Sequence, residues 1–258
     1  MTPVELGEGA RRALSVDGRG RVVAVYRQAA YLRLPAGLVA LVAGDVWRGP
    51  LHLRSPLDPS LLAPGDPVVV VAGSELGVGS WRVDLSDARL WRGALPDPAA
   101  LRRAALDLSA GPPSALLQPM FARRLAIAVD RLAGADLAGT ARALGGLGPG
   151  LTPAGDDALA GILLVTRALR GPAAEAGLVA VAQAVPTTSV ARAQLEWAAR
   201  GQGVEPVHDL LAALAGSDEP AVRVHLGALR GLGHTSGADL AYGLALGLRP
   251  RVIRVSPS

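Results

Sequence analysis

The chain has 258 residues and a formal net charge of +4; half of its residues are hydrophobic, but only 3% are aromatic. It contains no cysteine, which excludes disulfides, thiolate nucleophiles and cysteine-based zinc sites. All 26 basic residues are arginine, so a lysine Schiff base and a P-loop lysine are excluded, and arginine is left as the strong cation for phosphate or carboxylate.

A chain of this length can bury a sizeable core as one large domain or two. The arginines are scattered, without a basic stripe interleaved with aromatics, which argues against nucleic acid as a partner. No stretch approaches the ~20 apolar residues of a membrane span. Residues Met1 to Ala10 are polar and carry Glu5 and Glu8, where a secretion signal needs a positive start and an apolar run. The expectation is a cytoplasmic protein away from membranes.

From Arg21 to Leu34 the sequence RVVAVYRQAAYLRL is rich in Val and Tyr and reads as one or two strands, closed by Pro35 and Gly37. Strands are predicted again at Leu38 to Gly44, Pro50 to Ser55, Pro67 to Gly73 and Ser80 to Trp91, with turn residues between them. The run PVVVVAG reads as a buried strand. Strands this closely spaced predict a small antiparallel barrel or sandwich over residues 1–95.

Beyond Pro96 and Pro98 the pattern changes to long Ala- and Leu-rich stretches with a period near 3.6. Ser114 can cap a helix running to Leu132, with Pro119 kinking it or delaying its start. Further helices are predicted at Pro153 to Leu169, Pro172 to Ala184, Ser189 to Arg200, Pro206 to Leu214, Pro220 to Leu229 and Ser236 to Leu248. The fold class is therefore α+β: a β-rich domain over 1–95, followed by a mainly helical domain over 96–258.

Three helix openings in that second part carry the candidate chemistry. In GLGPGLTPAGDD, glycines including Gly148 and Gly150 precede Thr152, a candidate N-cap, and Pro153, which suits the first helical position. Such a loop exposes main-chain amides at the positive end of a helix, where phosphate or carboxylate binds. Asp156 and Asp157 follow in the first turn and are placed to bind a metal, orient a nucleophile or accept a proton. Ordinary helix capping explains the same residues, and the spacing matches neither a P-loop nor a dinucleotide fingerprint.

GLGHTSGADLAYGLALGL, Gly231 to Leu248, repeats the pattern, with Thr235 or Ser236 as the cap and Asp239 at capping-box spacing. Aligning Gly155 with Gly237 also matches Asp157 with Asp239 and Gly161 with Gly243. Each Asp then lies one turn above a Gly, and small residues there let two helix ends approach and bring both carboxylates together. His234 precedes this helix and is the best candidate for a general acid or base. His52, His208 and His225 lie in strand-like or ordinary helical contexts and read as structural or surface residues. The third opening, PTTSVARAQLEWAARG, places Thr187, Thr188 and Ser189 before a helix and Arg192 in its first turn, a set suited to a carboxylate, carbamoyl or phosphate group. Capping with a solvated arginine is its bland alternative.

Taken in order, GLGPGLTPAGDD, TTSVARAQLEWAARG and GLGHTSGADLAYGLALGL resemble the signature blocks of the AllH-like family, over about Leu144 to Leu248. That family includes the AllH subunit of bacterial oxamate carbamoyltransferase. The resemblance implies a role in purine degradation and allantoin catabolism, where carbamoyl passes between oxalurate and phosphate to give oxamate and carbamoyl phosphate, with other subunits taking part. On this reading His234, Asp157 and Asp239 are the catalytic candidates. Gly148, Gly150, Thr152, Asp156, Thr188, Ser189, Arg192, Thr235 and Ser236 bind a small anionic substrate. No cofactor is evident. The alternatives are a metabolite-binding or assembly subunit without catalysis, and phosphoryl transfer assisted by magnesium on the Asp residues.

Overall fold

The computed structural model describes residues 4–103, 108, 116 and 118–249, which fall into two compact units divided between Gly93 and Ala94. Each unit has its own apolar core of aliphatic side chains.

The first unit is one nine-stranded sheet: β1 (Glu5–Gly7), β2 (Gly18–Val25), β3 (Ala29–Leu34), β4 (Gly37–Ala43), β5 (His52–Ser55), β6 (Pro67–Val71), β7 (Glu75–Val78), β8 (Trp81–Asp84) and β9 (Arg89–Trp91). The strands lie in the order β8-β7-β6-β2-β3-β4-β5-β1-β9. This corrects the expected antiparallel barrel or sandwich in two ways. The end strands β8 and β9 are not paired with each other, so the sheet curls without closing. Two of its pairs, β4 with β5 and β1 with β9, are parallel. The chain enters β1 and then turns into a helix, α1 (Glu8–Leu14), because Gly7 packs against the 49–50 backbone, where a Cβ would lie 2.0 Å from the Gly49 carbonyl oxygen. The Ala10 amide donates to the Pro50 carbonyl at 3.0 Å. Close spacing of strands in sequence favours hairpins, but here the 44–51 segment carries the chain back to a parallel start.

Helix α1 buries Ala10, Ala13 and Leu14 and packs on β4, whose core residues Leu38 to Val42 are buried on both faces. Strand β6 is different: Val68 and Val70 are buried while Val69 and Val71 face out, so PVVVVAG is buried on one face only.

The second unit is helical: α2 (Pro98–Arg103), α3 (Pro119–Ala133), α4 (Leu137–Leu144), α5 (Ala154–Arg170), α6 (Glu175–Gln183), α7 (Ser189–Ala199), α8 (Glu205–Ala215), α9 (Glu219–Arg230) and α10 (Ser236–Gly247), with a 3₁₀ turn at Pro172–Ala174. Pro119 occupies the first position of α3, delaying the start rather than kinking the helix, because proline there forfeits no hydrogen bond. The predicted cap Ser114 lies outside the described residues. The centre of this unit is the pair α5 and α10, which pack closely along much of their length. No helix among the described residues is long and apolar enough to cross a membrane.

Candidate functional site

The α5 and α10 helices meet through glycine. A Cβ on Gly161 would lie 2.5 Å from the Leu240 carbonyl oxygen, and one on Gly243 would lie 1.9 Å from that of Ala158. In the alignment of the two glycine motifs, Ala158 corresponds to Leu240. The contacts are therefore reciprocal, as across a local two-fold axis.

The correspondence extends back through both loops. A Cβ on Gly155 would strike the Leu144 carbonyl oxygen at 2.2 Å, and one on Gly237 would strike that of Leu229 at 1.9 Å. The Gly155 amide donates to the Leu147 carbonyl at 2.8 Å, and the Gly237 amide to the Leu232 carbonyl at 3.0 Å. Each helix thus starts by crossing tightly over the end of its predecessor, α4 under α5 and α9 under α10. ALGGLG (Ala143–Gly148) and ALRGLG (Ala228–Gly233) are the sequence counterparts of this correspondence. The second part of the unit is therefore built around two matched helix–loop–helix elements.

Asp157 and Asp239 occupy matched positions in this pair. Asp239 is 0% exposed and, among the described residues, neither of its carboxylate oxygens has a partner in hydrogen-bond geometry; Asp157, 9% exposed, has Oδ2 without one. Burial raises the Asp239 carboxyl to about 6, against a smaller opposing effect of the Thr235 hydroxyl. Burial also pushes Asp157 well above the ordinary carboxylate range, the Ser236 hydroxyl opposes it, and the charges of Asp239 and Asp156 push it further. The Asp239 charge therefore reaches Asp157 across the helix pair.

Asp156 has a different position. Its Oδ1 accepts from the Gly146 amide at 3.0 Å and its Oδ2 from the Thr187 hydroxyl at 2.5 Å. Burial raises its carboxyl, while these two bonds and the charges of Arg124 and Arg192 work the other way. Asp156 thus ties the glycine loop to the threonine segment. Thr188 adds a second tie: its hydroxyl donates to the Leu151 carbonyl at 2.5 Å, and also accepts from the Ala191 amide at 3.0 Å as the N-cap of α7. A third link joins Thr152 Oγ1 and Ser236 Oγ, 3.3 Å apart, which brings the first and second glycine openings together.

Two capping expectations are corrected by these contacts. Pro153, not Thr152, stands at the N-cap of α5, and the Thr152 hydroxyl turns to Ser236 instead. Thr235 stands at the N-cap of α10 without a side-chain capping bond, and Asp239 closes no capping box, since among the described residues its oxygens accept from no backbone amide. Tight helix crossing at Gly155 and Gly237 sets the chain direction there, so the hydroxyls are not needed as caps.

Gly148 and Gly150 sit at positive φ, 119° and 94°, in the loop before α5. The amides of Gly148, Gly150, Leu151 and Thr152 make no hydrogen bond among the described residues. Arg192, half-buried, donates Nη1 to the Gln183 carbonyl, and Ser189 is exposed at the start of α7. His234 is exposed, without a hydrogen-bond partner among the described residues. The other histidines are spoken for. His208 is buried; its Nε2 accepts from the Gly203 amide at 3.1 Å, so Nδ1 carries the proton and donates to the Ala94 carbonyl at 3.0 Å. His52 Nδ1 meets the Trp47 carbonyl at 2.8 Å, and His225 faces Asp209 at 3.9 Å.

Arg124 on α3 was not singled out by any motif. Its Nε and Nη2 donate to the carbonyls of Ala143 and Gly145 at 3.0 and 2.9 Å, holding the end of α4 as it enters the glycine loop. One arginine among many in an arginine-rich chain carries no sequence signal of such a role.

Fold and site together define a helical module of paired helix–loop–helix elements, with three loop openings stitched together by hydroxyls and two buried carboxylates at the crossing. The family model AllH, described as oxamate carbamoyltransferase subunit AllH, matches residues 144–248. The match runs from the end of α4 through α10 and takes in all three openings, in agreement with the resemblance seen in their sequences. No solved structure matches the chain.

Proposed function

We propose that the chain works in carbamoyl transfer as a subunit of an oxamate carbamoyltransferase-like enzyme, binding a small anion at the loop before α5. One observation carries this: the family match spans the three openings that Asp156, Thr188, Thr152 and Ser236 join into one place. The amides of Gly148, Gly150, Leu151 and Thr152, unpartnered among the described residues, suit a phosphate or carboxylate, with Ser189 and Arg192 on the adjoining opening.

In the reaction a phosphate oxygen attacks the carbamoyl carbon of oxalurate, the bond from that carbon to the oxamate nitrogen breaks, and the nitrogen takes up a proton. Loop amides and hydroxyls hold the anions in reach of one another, a contribution of positioning and charge stabilisation. His234 is open to substrate, and Asp157 and Asp239 are carboxyls held above their usual range; these are the candidates for proton transfer. Because the family is described as a subunit, other chains are expected to complete the enzyme. The same description supports a second reading, an assembly subunit that binds a metabolite without catalysis.

Isothermal titration of the purified chain with carbamoyl phosphate, phosphate, oxamate and oxalurate, with and without magnesium, tests the proposal. Saturable binding that weakens at least tenfold in His234→Ala is expected. Absence of binding to all four by the wild-type chain would overturn the anion site and favour the assembly reading.

A further inference from the structure

Asp157 and Asp239 come from separate helix–loop–helix elements, at matched positions, and converge where α5 and α10 cross. Ionised carboxylates buried without partners are costly, and they persist where a cation or donor satisfies them. Among the described residues no arginine or histidine does so. Arg124 and Arg192 act on Asp156, and the charges acting on Asp157 are those of Asp239 and Asp156. Beside the two carboxylates stand hydroxyls: that of Ser236 favours the charged form of Asp157, that of Thr235 favours the charged form of Asp239, and the Thr152 hydroxyl lies 3.3 Å from that of Ser236.

We propose that Asp157 and Asp239, with the hydroxyls of Ser236 and Thr152, bind one divalent oxygen-seeking cation, magnesium or manganese. Two carboxylates neutralise its charge, and their unpartnered oxygens are the first ligands. No group of three His, Cys, Asp or Glu residues assembles among the described residues. That agrees with magnesium, which is commonly held by one or two carboxylates and keeps several of its waters, and it disfavours zinc, whose sites draw on nitrogen and sulfur. Each helix–loop–helix element supplies one carboxylate, so neither element alone makes the site. A cation there also answers a difficulty of charge: two carboxylates repel an anion at the neighbouring loop, and the metal reverses the sign of that field. The metal site rests on the carboxylates alone, so it stands even if no carbamoyl compound binds.

The test is titration of the full chain, stripped with a chelator, with Mn²⁺ followed by electron paramagnetic resonance, and with Mg²⁺ as competitor. One saturable Mn²⁺ site per chain, displaced by Mg²⁺, is expected. Asp157→Asn and Asp239→Asn should each weaken Mn²⁺ binding at least tenfold, and Ser236→Ala severalfold. Glu219→Gln, which alters only an exposed ion pair with Arg223, should leave it unchanged. Circular dichroism verifies the fold of each variant; should one Asn variant fail to fold, the other together with Ser236→Ala decides. No saturable binding by the wild-type chain, or unchanged affinity in the folded Asn and Ser236→Ala variants, would overturn the proposal. In the second case, a rise in melting temperature of the Asn variants would identify a neutral carboxyl pair instead.

Discussion

The two helix openings at the heart of the second unit share a backbone plan and differ in how they are secured. Before α5, Asp156 braces the loop through Gly146 and Thr187, and Thr188 holds Leu151. Before α10, the position matching Asp156 is Ala238, the loop is shorter, and His234 stands exposed without a hydrogen-bond partner among the described residues. Matched glycines at the crossings produce the same helix geometry with or without the brace. Helix packing is thus the work of the glycines, and the extra hydrogen bonds before α5 serve to hold a longer loop in one shape.

The largest expected effect breaks the crossing itself. Gly237→Ala and Gly243→Ala each place a methyl 1.9 Å from a carbonyl oxygen of a neighbouring helix, and Gly155→Ala places one at 2.2 Å. Each should cost about 3 kcal/mol or more, read as a fall in melting temperature of roughly 6–12 °C. Gly227→Ala in the interior of α9, where a new methyl meets nothing within 4 Å, should instead raise stability by up to ~1 kcal/mol. If Gly155→Ala and Gly237→Ala differed widely in cost, the two crossings would not be equivalent.

A middle-sized effect sharpens the contrast between the braced and unbraced loops. Asp156→Ala leaves the Gly146 amide and the Thr187 hydroxyl without their acceptor and should cost about 2–3 kcal/mol. Limited proteolysis should then cut within residues 146–152 faster than in the wild-type chain, with little change at 231–235. Equal protection of the first loop in wild type and variant would show that the brace is dispensable.

The smallest effect concerns the matched carboxylates. The folded state raises Asp239 from 3.8 to about 6, so it binds this proton more tightly than the unfolded chain does. Stability from this group is therefore greatest at acid pH and is lost as pH rises from about 4 through 6. In a metal-free buffer Asp239→Asn should flatten the melting temperature over that window and leave the variant at least as stable as wild type at pH 7. A steeper fall in the variant would mean that the carboxylate has a stabilising partner.

Much of the helical unit was legible because its apolar period is long and its boundaries carry glycine, proline and hydroxyl signals. The expected Pro153 to Leu169 and Ser189 to Arg200 lie within a residue of α5 and α7 at each end. Short elements were not legible. Helix α1 hides in a polar-looking segment because seven residues with Glu8 and Gly9 show no clear period. The parallel pairing of β4 with β5 was equally hidden, since local spacing cannot distinguish a hairpin from a returning loop. At the site, the matched glycines and aspartates were visible as a repeated spacing, whereas the caps were misassigned because Thr152 and Ser236 face each other across elements distant in sequence.

By itself the sequence determined the small residues at 155, 161, 237 and 243, and with them that two helices can touch backbone to backbone, because only a missing Cβ allows it. It also determined the three openings and their family resemblance. Only the tertiary structure decided which of three acidic residues is braced and which two are buried with oxygens that find no partner among the described residues. Asp156 and Asp157 are neighbours in one helical turn and point about 100° apart around it, so one meets Gly146 and Thr187 while the other turns to Ser236 and Asp239. That difference is a property of what packs on each face, which no local pattern records.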